Sequence, residues 1–414
     1  MPEHVLIKHC QICQGPTQEV LSLGDLPLVD CLMEPSDVHA PVARYPANLQ
    51  HCPSCRLAQL GCIVDNRLRF PPEYPYTSAT TKILRDNFSQ LALETGEFTA
   101  LNTDDLVLDI GCNDGTLLKN FKDRTKVLGV TPEDMGQAAL QQGIDVIQAY
   151  FTPAARQEIL RRHGQATVVL AANVLAHFDD INRAVDDIKQ LLKPHGLFIS
   201  ESGYLFDMLE GLQYDSIHHE HLRYYSLASL KVLFDRHGLQ IIHAAKINTH
   251  GGSLRVYAAF QGKYPVRSSV AAILKEEADK NLIFLLDDFH RRAGEHKSCL
   301  SRLLRGLKSR HKTIQGIGAP GRATVLMNYA GIDNAILDGV AEIEGSHKIG
   351  KIIPGTGVRI VLQQEFFKNQ PDYALMLSWH IAGELMPKLK MQGFRGDFIL
   401  PLPKPVLISS QDAG

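Results

Sequence analysis

Apolar and polar residues alternate along the central part of the chain in the pattern of a parallel α/β domain. From Ile181 to Leu192, apolar residues recur every three or four positions, which predicts a helix with one buried face. Alternating strands and helices predict a parallel sheet whose ligand lies at the carboxyl ends of the strands, where Asp109, Asn173 and Glu201 stand. The runs that we predict as strands are Leu106–Asp109, Val127–Val130, Val168–Ala172, Leu197–Glu201 and Leu254–Phe260.

A glycine-containing turn joins the first predicted strand to the next helix, in the stretch LVLDIGCNDGTLL from Leu106 to Leu118. Gly111 and Gly115 carry no Cβ, so a ligand can approach the backbone closely. The helix start supplies N–H groups and the positive end of a dipole for an anionic group. The dinucleotide fingerprint would need glycine at the position of Asn113, so this turn is a different motif. An ordinary strand-to-helix turn is the alternative interpretation.

A second α/β pattern follows a helix-rich connector near residue 313. The connector carries an apolar stripe that predicts core packing. The elements predicted beyond it are strands at Thr313–Gly318, Ile336–Glu342 and Asp372–Ser378 and a helix at Ala323–Ala330. We therefore divide the chain into four parts: residues 1–70, 71–265, 266–312 and 313–414.

The first 65 residues contain two Cys-x-x-Cys pairs. Each pair is a chelating knuckle, and four thiolates make a closed tetrahedral zinc site. Because such a shell leaves no open position for a substrate, we expect structural Zn²⁺, with free or redox-active thiols as the alternative. Cys31 and Cys62 lack this spacing and are predicted to pack in the interior. The four predicted ligands are Cys10, Cys13, Cys52 and Cys55.

The densest run of titratable side chains is His218-His219-Glu220-His221. Histidine suits proton abstraction because its unperturbed pKa is about 6.5, and an adjacent carboxylate can stabilise its cation. The run therefore indicates acid–base catalysis. A metal site with His219 and His221 on one strand face and a plain surface loop are the alternatives. The run is not His-Glu-x-x-His, and it lacks the downstream Pro-Cys-x-x-Cys of a nucleotide deaminase.

Composition narrows the class of protein without adding a site. The 44% hydrophobic and 21% charged content is that of a globular protein, and a net charge of −2 gives no general case for nucleic acid or an anionic membrane. No run of about 18 apolar residues is present, and charged residues near the start interrupt any signal peptide. We expect a cytoplasmic protein that binds neither nucleic acid nor membrane; a monomer fits, and the oligomeric state is left open.

Taken in order, these motifs make the chain similar to the S-adenosylmethionine-dependent sugar C-methyltransferases, which act on nucleotide-linked 4-keto deoxyhexoses. The resemblance covers nearly the whole length. The matching segments are the paired Cys-x-x-Cys, DIGCNDGTLL, NVLAH, HEHLRYYSL, THGGSLRVY, GAPGRATVLMNYAGI, Lys348–Thr356 and DYALMLSWH. The resemblance implies a class I methyltransferase Rossmann-like domain, a small N-terminal zinc-binding domain and a second Rossmann-like α/β domain for the nucleotide-sugar.

The resemblance also implies roles for individual residues. The general base would be His221, with Glu220, His177 and His218 beside it in the active site. The residues implied to hold S-adenosylmethionine are Asp109, Gly111, Asn113, Asp114, Gly115, Thr131 and Asn173. Those implied to face the nucleotide-linked sugar are Tyr76, Ser78, Gly318, Arg322, Lys348 and Trp379.

The implied reaction is methylation of the carbon next to a ketone. The base removes the proton from that carbon, nearby donors stabilise the enolate oxygen, and the carbon attacks the sulfonium methyl in line. The family has tyrosine at His218, an acidic residue at Thr131, lysine at Arg322 and asparagine at His380. These departures indicate a different sugar, and Glu133, two residues after Thr131, is positioned to compensate there.

Two other functions stay open at the level of the sequence. One is an O- or N-methyltransferase that acts on a small metabolite, which would not need a base matched to a C–H acid. The other is a zinc-module binding protein whose methyltransferase domain is vestigial.

Overall fold

The computed structural model describes residues 3–38, 40–71, 77–78 and 81–411. The N-terminal part is a small antiparallel module. In it β1 pairs with β5, while β2, β3 and β4 form a separate sheet. Its elements are β1 (His4–Leu6), β2 (Gln18–Leu26), β3 (Tyr45–His51), β4 (Ala58–Leu60), β5 (Cys62–Val64) and helix α1 (Asn66–Arg69).

The middle part is a seven-stranded sheet with strand order β12-β13-β10-β9-β6-β7-β8. Strands β10, β9, β6, β7 and β8 run parallel, and β13 runs antiparallel between β10 and β12. The chain order reverses between β6 and β9, which is where open α/β sheets bind ligands. The elements are α2 (Lys82–Thr95), β6 (Leu106–Ile110), β7 (Lys126–Thr131), α3 (Gly136–Gln141), β8 (Asp145–Gln148), α4 (Pro153–His163), β9 (Ala166–Ala172), α5 (Ile181–Leu191), β10 (Leu192–Gly203), α6 (Leu205–Glu210), β11 (Arg223–Tyr224), α7 (Leu227–Arg236), β12 (Leu239–Ile247) and β13 (Ser253–Phe260).

The C-terminal part has a second sheet with strand order β16-β15-β14-β17-β18-β19, parallel except for β19. Its order reverses between β14 and β17, so a second ligand crevice is expected at their carboxyl ends. The elements are α8 (Ser268–Asp279), α9 (Leu282–Lys308), β14 (Ile314–Ile317), α10 (Gly321–Ala330), β15 (Val340–Glu342), β16 (Ile360–Leu362), α11 (Gln363–Asn369), β17 (Tyr373–Met376), α12 (Ala382–Met391), β18 (Asp397–Leu400) and β19 (Val406–Ile408).

The predicted fold class, two Rossmann-like α/β parts behind a small cysteine-containing module, is confirmed. Helix α5 shows why the pattern was informative, because Asp180 accepts the N–H of Arg183 as its N-cap and the predicted face is buried. The strand predicted at Ile336–Glu342 is shorter, since the Ile336 N–H bonds the carbonyl of Asp333 in a turn and pairing begins at Val340.

The two isolated cysteines differ in environment. Cys62 is buried in β5, as predicted. Cys31 is exposed, so its predicted interior position was wrong; it lies in a loop between strands, with its Sγ 3.5 Å from the carbonyl of Leu68. Within the described ranges, no helix combines the length and the apolar character needed to cross a membrane.

The module's sheet is completed from the middle of the chain. Strand β11 pairs antiparallel with β4, with Arg223 opposite Gln59 and Tyr224 opposite Ala58. The N–H of Leu60 also donates to the carbonyl of Leu222, at 2.9 Å. Because β11 directly follows the His218–His221 run, the N-terminal module braces that run from one side.

Candidate active site

The four predicted zinc ligands converge at one point of the N-terminal module. The sulfur atoms of Cys10 and Cys55 lie 3.3 Å apart, those of Cys13 and Cys52 lie 3.5 Å apart, and all four lie within 4.8 Å of one another. Zn–S bonds of about 2.3 Å in a tetrahedron put thiolates about 3.8 Å apart, so this donor set fits zinc. No catalytic side chain is among the four, which agrees with a structural metal.

The glycine turn after β6 brings two chain segments close together. Gly111 has a φ of 78°, and a Cβ there would lie 2.9 Å from the side chain of Val174. Asn113 and Asn173 are also left-handed, with φ of 49° and 58°. The amide oxygen of Asn113 accepts the N–H of Ser78 at 3.0 Å. The structure therefore gathers these predicted residues at the carboxyl ends of β6 and β9.

Two acidic side chains near this turn, those of Asp109 and Glu201, have different environments. Asp109 is buried, and its Oδ1 has no hydrogen-bond partner among the residues that the structure describes. Burial, and then the nearby charge of Glu201, raise its pKa well above the usual value. Glu201 itself is held by Arg255 at 2.6 Å and by Asn87 at 2.9 Å. Its two carboxylate oxygens are therefore occupied by these side chains, and we assign Glu201 a supporting role beside the crevice.

The other residues that were predicted to hold S-adenosylmethionine lie next to the turn. Asp114 accepts the N–H of Thr116 at 3.0 Å and closes the turn. Gly115, with a φ of 78°, has no room for a Cβ because Ile144 and Ala139 lie within 3 Å of that position. Thr131, at the end of β7, donates its hydroxyl to Glu133. The carboxylate of Glu133 thus stands at the strand end where the acidic residue was missing.

Aromatic rings form a column across the predicted catalytic residues. Phe70 stacks on His177 with ring centroids 5.0 Å apart, His177 stacks on His221 at 5.4 Å, and His221 lies 4.1 Å from His218. The Nδ1 of His221 lies 3.2 Å from the carbonyl oxygen of Ser216. A carbonyl only accepts, so Nδ1 carries the proton and Nε2 keeps a lone pair.

His219 points away from this column. Its Nε2 lies 3.2 Å from the carbonyls of Tyr45 and Pro46 in β3, so it attaches the run to the N-terminal module. His219 and His221 therefore do not share a metal. Across the described residues, the four cysteines are the one His, Cys, Asp or Glu cluster with metal-ligand spacing. Glu220, the remaining residue of the run, is buried.

The C-terminal crevice adjoins the same column. Gly318 follows β14 and has a φ of 78°; a Cβ would collide with Ser378, which follows β17. The next residue, Trp379, donates its indole N–H to Asp215 at 2.7 Å. Arg322 lies with its Nε 3.8 Å from the same carboxylate oxygen. Predicted substrate residues of this crevice thus meet the middle part directly.

Three residues predicted on the substrate side have other outcomes. Lys348 donates to Asp30 at 2.5 Å and to the carbonyl of Ala319 at 2.9 Å, so its ammonium joins the N-terminal module to the C-terminal crevice. Ser78 contacts the glycine turn through its backbone N–H, which donates to Asn113. Tyr76 lies outside the described residues.

Several residues that support the site were not predicted as site residues. Arg69 and Arg223 are fully buried and hold the loop after His177: Arg69 donates to its carbonyl at 3.2 Å, and Arg223 donates to that of Phe178 at 2.6 Å. Asp215 stands three residues before the histidine run, without any motif of its own. Only tertiary contacts reveal these residues.

The buried imidazoles are kept neutral. Burial, opposed by the Ser216 carbonyl and reinforced by the charge of Arg322, lowers the pKa of His221 to about 4. Burial and then Arg322 lower that of His250 to about 4 and that of His380 to about 3. Burial lowers the pKa of His218 well below its usual value.

These shifts predict acid sensitivity. The unfolded chain binds protons at these histidines below about pH 6.5, whereas the folded chain does not, so stability present above pH 6.5 is lost as pH falls toward 4. Each imidazole contributes up to about 1.4 kcal/mol per pH unit. His218→Tyr removes one of these groups. Its free energy of unfolding, measured with urea, should therefore fall by about 2 kcal/mol less than that of wild type between pH 7 and pH 5. The matched control, exposed His195→Tyr, should follow wild type; equal pH dependence of both variants contradicts the prediction.

Family models match three successive segments of the chain. Residues 10–70 match "Putative zinc binding domain", residues 77–244 match "Methyltransferase domain" and residues 248–403 match "C-methyltransferase C-terminal domain". The chain is 31% identical to the C-methyltransferase NovU of Streptomyces niveus over 412 residues, which are 98% of this chain and 98% of that protein.

Two solved methyltransferases each overlap with less than half of the chain. The N-methyltransferase NodS of Bradyrhizobium japonicum WM9, solved with S-adenosyl-L-homocysteine, is 14% identical, with 45% of this chain and 92% of that chain covered and a TM-score of 0.35. An S-adenosylmethionine-dependent methyltransferase from Clostridium acetobutylicum ATCC 824 is 15% identical, with 44% and 94% covered and a TM-score of 0.36.

The match to a C-methyltransferase covers the parts of the chain that contain the cysteine site, the glycine turn and the histidine column. The chain therefore belongs to the C-methyltransferase family and is a methyltransferase enzyme.

Proposed function

We propose that this enzyme methylates the carbon next to the ketone of a nucleotide-linked keto-deoxyhexose, with S-adenosylmethionine as the methyl donor. One observation carries the proposal most directly. The five residues 173–177 run from the glycine turn, where Val174 contacts Gly111, to His177, whose ring stacks on His221. The donor crevice and the candidate base therefore adjoin within one short segment.

The donor side fits a sulfonium nucleoside. When bound, S-adenosylmethionine supplies an electrophilic methyl group. The N–H groups of Gly111 and Gly115 donate to the carbonyls of Val130 and Cys112, which closes a tight turn whose glycines let a ligand approach the backbone. Asp109 keeps one carboxylate oxygen without a described partner, and we assign that oxygen to the methionine ammonium. Glu133 is placed for the ribose hydroxyls, and Thr131 orients it. Asn173 lines the same edge.

His221 has the properties that removal of a carbon-bound proton requires. Its Nε2 lone pair is free to accept the proton because Nδ1 is bonded to Ser216. Because burial lowers its pKa, the ring stays unprotonated and its lone pair stays available throughout the neutral range. Stacking on His177 and contact with His218 fix the ring plane.

The acceptor is proposed to enter between the middle and C-terminal parts. Gly318 and Trp379 stand at the carboxyl ends of β14 and β17, and Arg322 reaches from α10 to Asp215. A crevice at the reversal point of a second Rossmann-like sheet suits a nucleotide, while the histidine column faces the same space. The family resemblance supports a keto-sugar as the group that the nucleotide carries.

The direct test is incubation of the purified protein with methyl-labelled S-adenosylmethionine and a panel of nucleotide-linked keto-deoxyhexoses. Mass spectrometry should show a gain of one labelled methyl group on one sugar, located on carbon by fragmentation. Wild-type protein should also exchange hydrogen for deuterium at that carbon in D₂O. A methyl group on oxygen or nitrogen without exchange would support the O- or N-methyltransferase alternative.

The role proposed for Glu133 gives a separate prediction. Glu133→Gln removes the charge that would accept the ribose hydroxyls, and a hydrogen bond to a charged group contributes about 1.5–3 kcal/mol. We expect the KM for S-adenosylmethionine to rise by about 10–100-fold, with kcat at saturating donor nearly unchanged. Steady-state kinetics measure both values. Glu158→Gln, on the surface of α4, is the matched control; an unchanged KM in Glu133→Gln contradicts the role.

A further inference from the structure

Arg322, which was expected to face the nucleotide-linked sugar, contacts the loop residue His250, Asp215 of the middle part and Trp379. Its Nη2 donates to the carbonyl of His250 at 3.4 Å, and its guanidinium lies 5.4 Å from the centre of the Trp379 ring. Its Nη1 is buried and has no hydrogen-bond partner within the described part of the chain. A buried N–H group without a partner is costly, so this nitrogen is placed for an acceptor that a ligand supplies.

The turn Tyr214–Ser216 connects this cation to the candidate base. Asp215 lies beside the Arg322 guanidinium and accepts from Trp379, while the carbonyl of the next residue, Ser216, orients His221. Adjacent residues of one 3-10 turn thus hold the cation and the base. Their backbones are one residue apart, or about 3.8 Å.

This turn is rigidly supported. Tyr214 is fully buried and its hydroxyl lies 2.9 Å from Nδ1 of His296 in α9. The other nitrogen of that imidazole lies 2.6 Å from the carbonyl of Pro401. Tyr214 also packs edge-on against Tyr329 of α10, the helix that begins just before Arg322. The middle part and the C-terminal part therefore fix the spacing between Arg322 and His221 together.

We propose that Arg322 is a catalytic residue that stabilises the enolate oxygen through Nη1, and that Asp215 is the positioning residue that orients it. This inference rests on the proposed function. The C–H bond of the carbon next to the ketone breaks, its proton passes to Nε2 of His221, and its electron pair moves onto the carbonyl oxygen. That oxygen accepts from Arg322. The carbon then forms a bond to the methyl group as the C–S bond of the donor breaks.

Electrostatics agree with this placement. The imidazoles around the guanidinium, His218, His221, His250 and His380, are kept neutral by burial and by this cation, so it is a fixed charge among uncharged rings. Asp215 is buried beside Arg322, and its carboxylate compensates the charge of the guanidinium while no substrate is bound. A preorganised donor in a site that excludes water stabilises developing charge more than it stabilises a neutral ketone.

The test compares Arg322→Gln with wild type in solvent deuterium exchange on the keto-sugar substrate before methylation, with S-adenosylhomocysteine in place of the donor. We expect kcat for exchange to fall by about 10²–10³-fold, while the KM of the sugar and the calorimetric affinity for the free nucleoside diphosphate change less than about threefold. Arg322→Lys keeps the charge and should recover at least about tenfold of the loss. The matched control is exposed Arg310→Gln.

Asp215 is tested through its partner. Asp215→Asn should lower kcat for exchange by about 10–100-fold, and the double variant with Arg322→Gln should lose little beyond Arg322→Gln alone, because Asp215 acts through Arg322. Additive losses in the double variant would overturn the positioning role.

The outcomes separate the two proposals. A tenfold weaker affinity for the nucleoside diphosphate in Arg322→Gln, with kcat for exchange unchanged, overturns the catalytic role and places Arg322 at the phosphates. If Arg322→Gln fails to fold by circular dichroism, Arg322→Lys decides by the same split between kcat and affinity. A wild-type enzyme that neither exchanges nor methylates any keto-sugar overturns the proposed function itself, and with it the role of Arg322.

Discussion

Replacing His221 by Gln is expected to lower methyl transfer by about 10²–10⁴-fold, the contribution of one well-placed general base. Glutamine keeps a polar side chain of similar length but cannot take the proton. Because the imidazole stacks on His177, at the far end of residues 173–177 from the glycine turn, the affinity for S-adenosylmethionine should stay within about twofold. Calorimetry of donor binding and single-turnover methyl transfer measure the two quantities separately.

The pH profile provides a second check on the same residue. His221 must be neutral to accept a proton, so activity should be present above its pKa and be lost as pH falls through about 4.

Deuterium exchange should decline in parallel with methyl transfer in His221→Gln. The matched control is exposed His195→Gln, which should match wild type. Turnover of His221→Gln within about threefold of wild type would remove His221 from the role.

The double substitution Cys52→Ser/Cys55→Ser is expected to abolish zinc binding and, although it lies outside the catalytic column, to reduce methyl transfer more than about tenfold. In zinc-finger peptides, structural zinc has an apparent binding free energy of about 10–16 kcal/mol, so the N-terminal module should not fold without it. Strand β4 follows Cys55 and pairs with β11, and β3 holds His219. Losing the module therefore releases both ends of the run that carries His221.

Metal analysis should find about one zinc per wild-type chain and almost none in the double variant. Hydrogen exchange should accelerate in residues 218–225 and less in β12 and β13, which belong to the other sheet. Exposed Cys299→Ser is the matched control for loss of a thiol. A metal-free variant with full activity would show that the module does not support the site.

Local pattern was sufficient where a residue's neighbours in sequence decide its environment. Helix α5 formed as predicted because its apolar spacing and its N-cap depend on residues only a few positions apart in sequence. The four cysteines were recognisable because each knuckle is a local chelating unit. The glycine turn was recognisable because Gly111 and Gly115 stand where the backbone is left-handed and a Cβ would have no room. The strand at Ile336–Glu342 was overestimated because a turn at Asp333 competes for its first residues.

The order of the parts could be predicted from sequence patterns, as could the residue types of each candidate site and the chemistry that those types can perform. Which of these residues meet became known from the folded chain: His219 turns to β3 while His221 stacks on His177, Lys348 bonds Asp30, and Asp215, in the turn that orients the base, lies beside Arg322. These contacts join residues as far apart in sequence as Asp30 and Lys348. The physical reason is that hydrogen bonds and burial depend on distances in space, whereas periodicity records only which face of its own helix or strand a residue occupies.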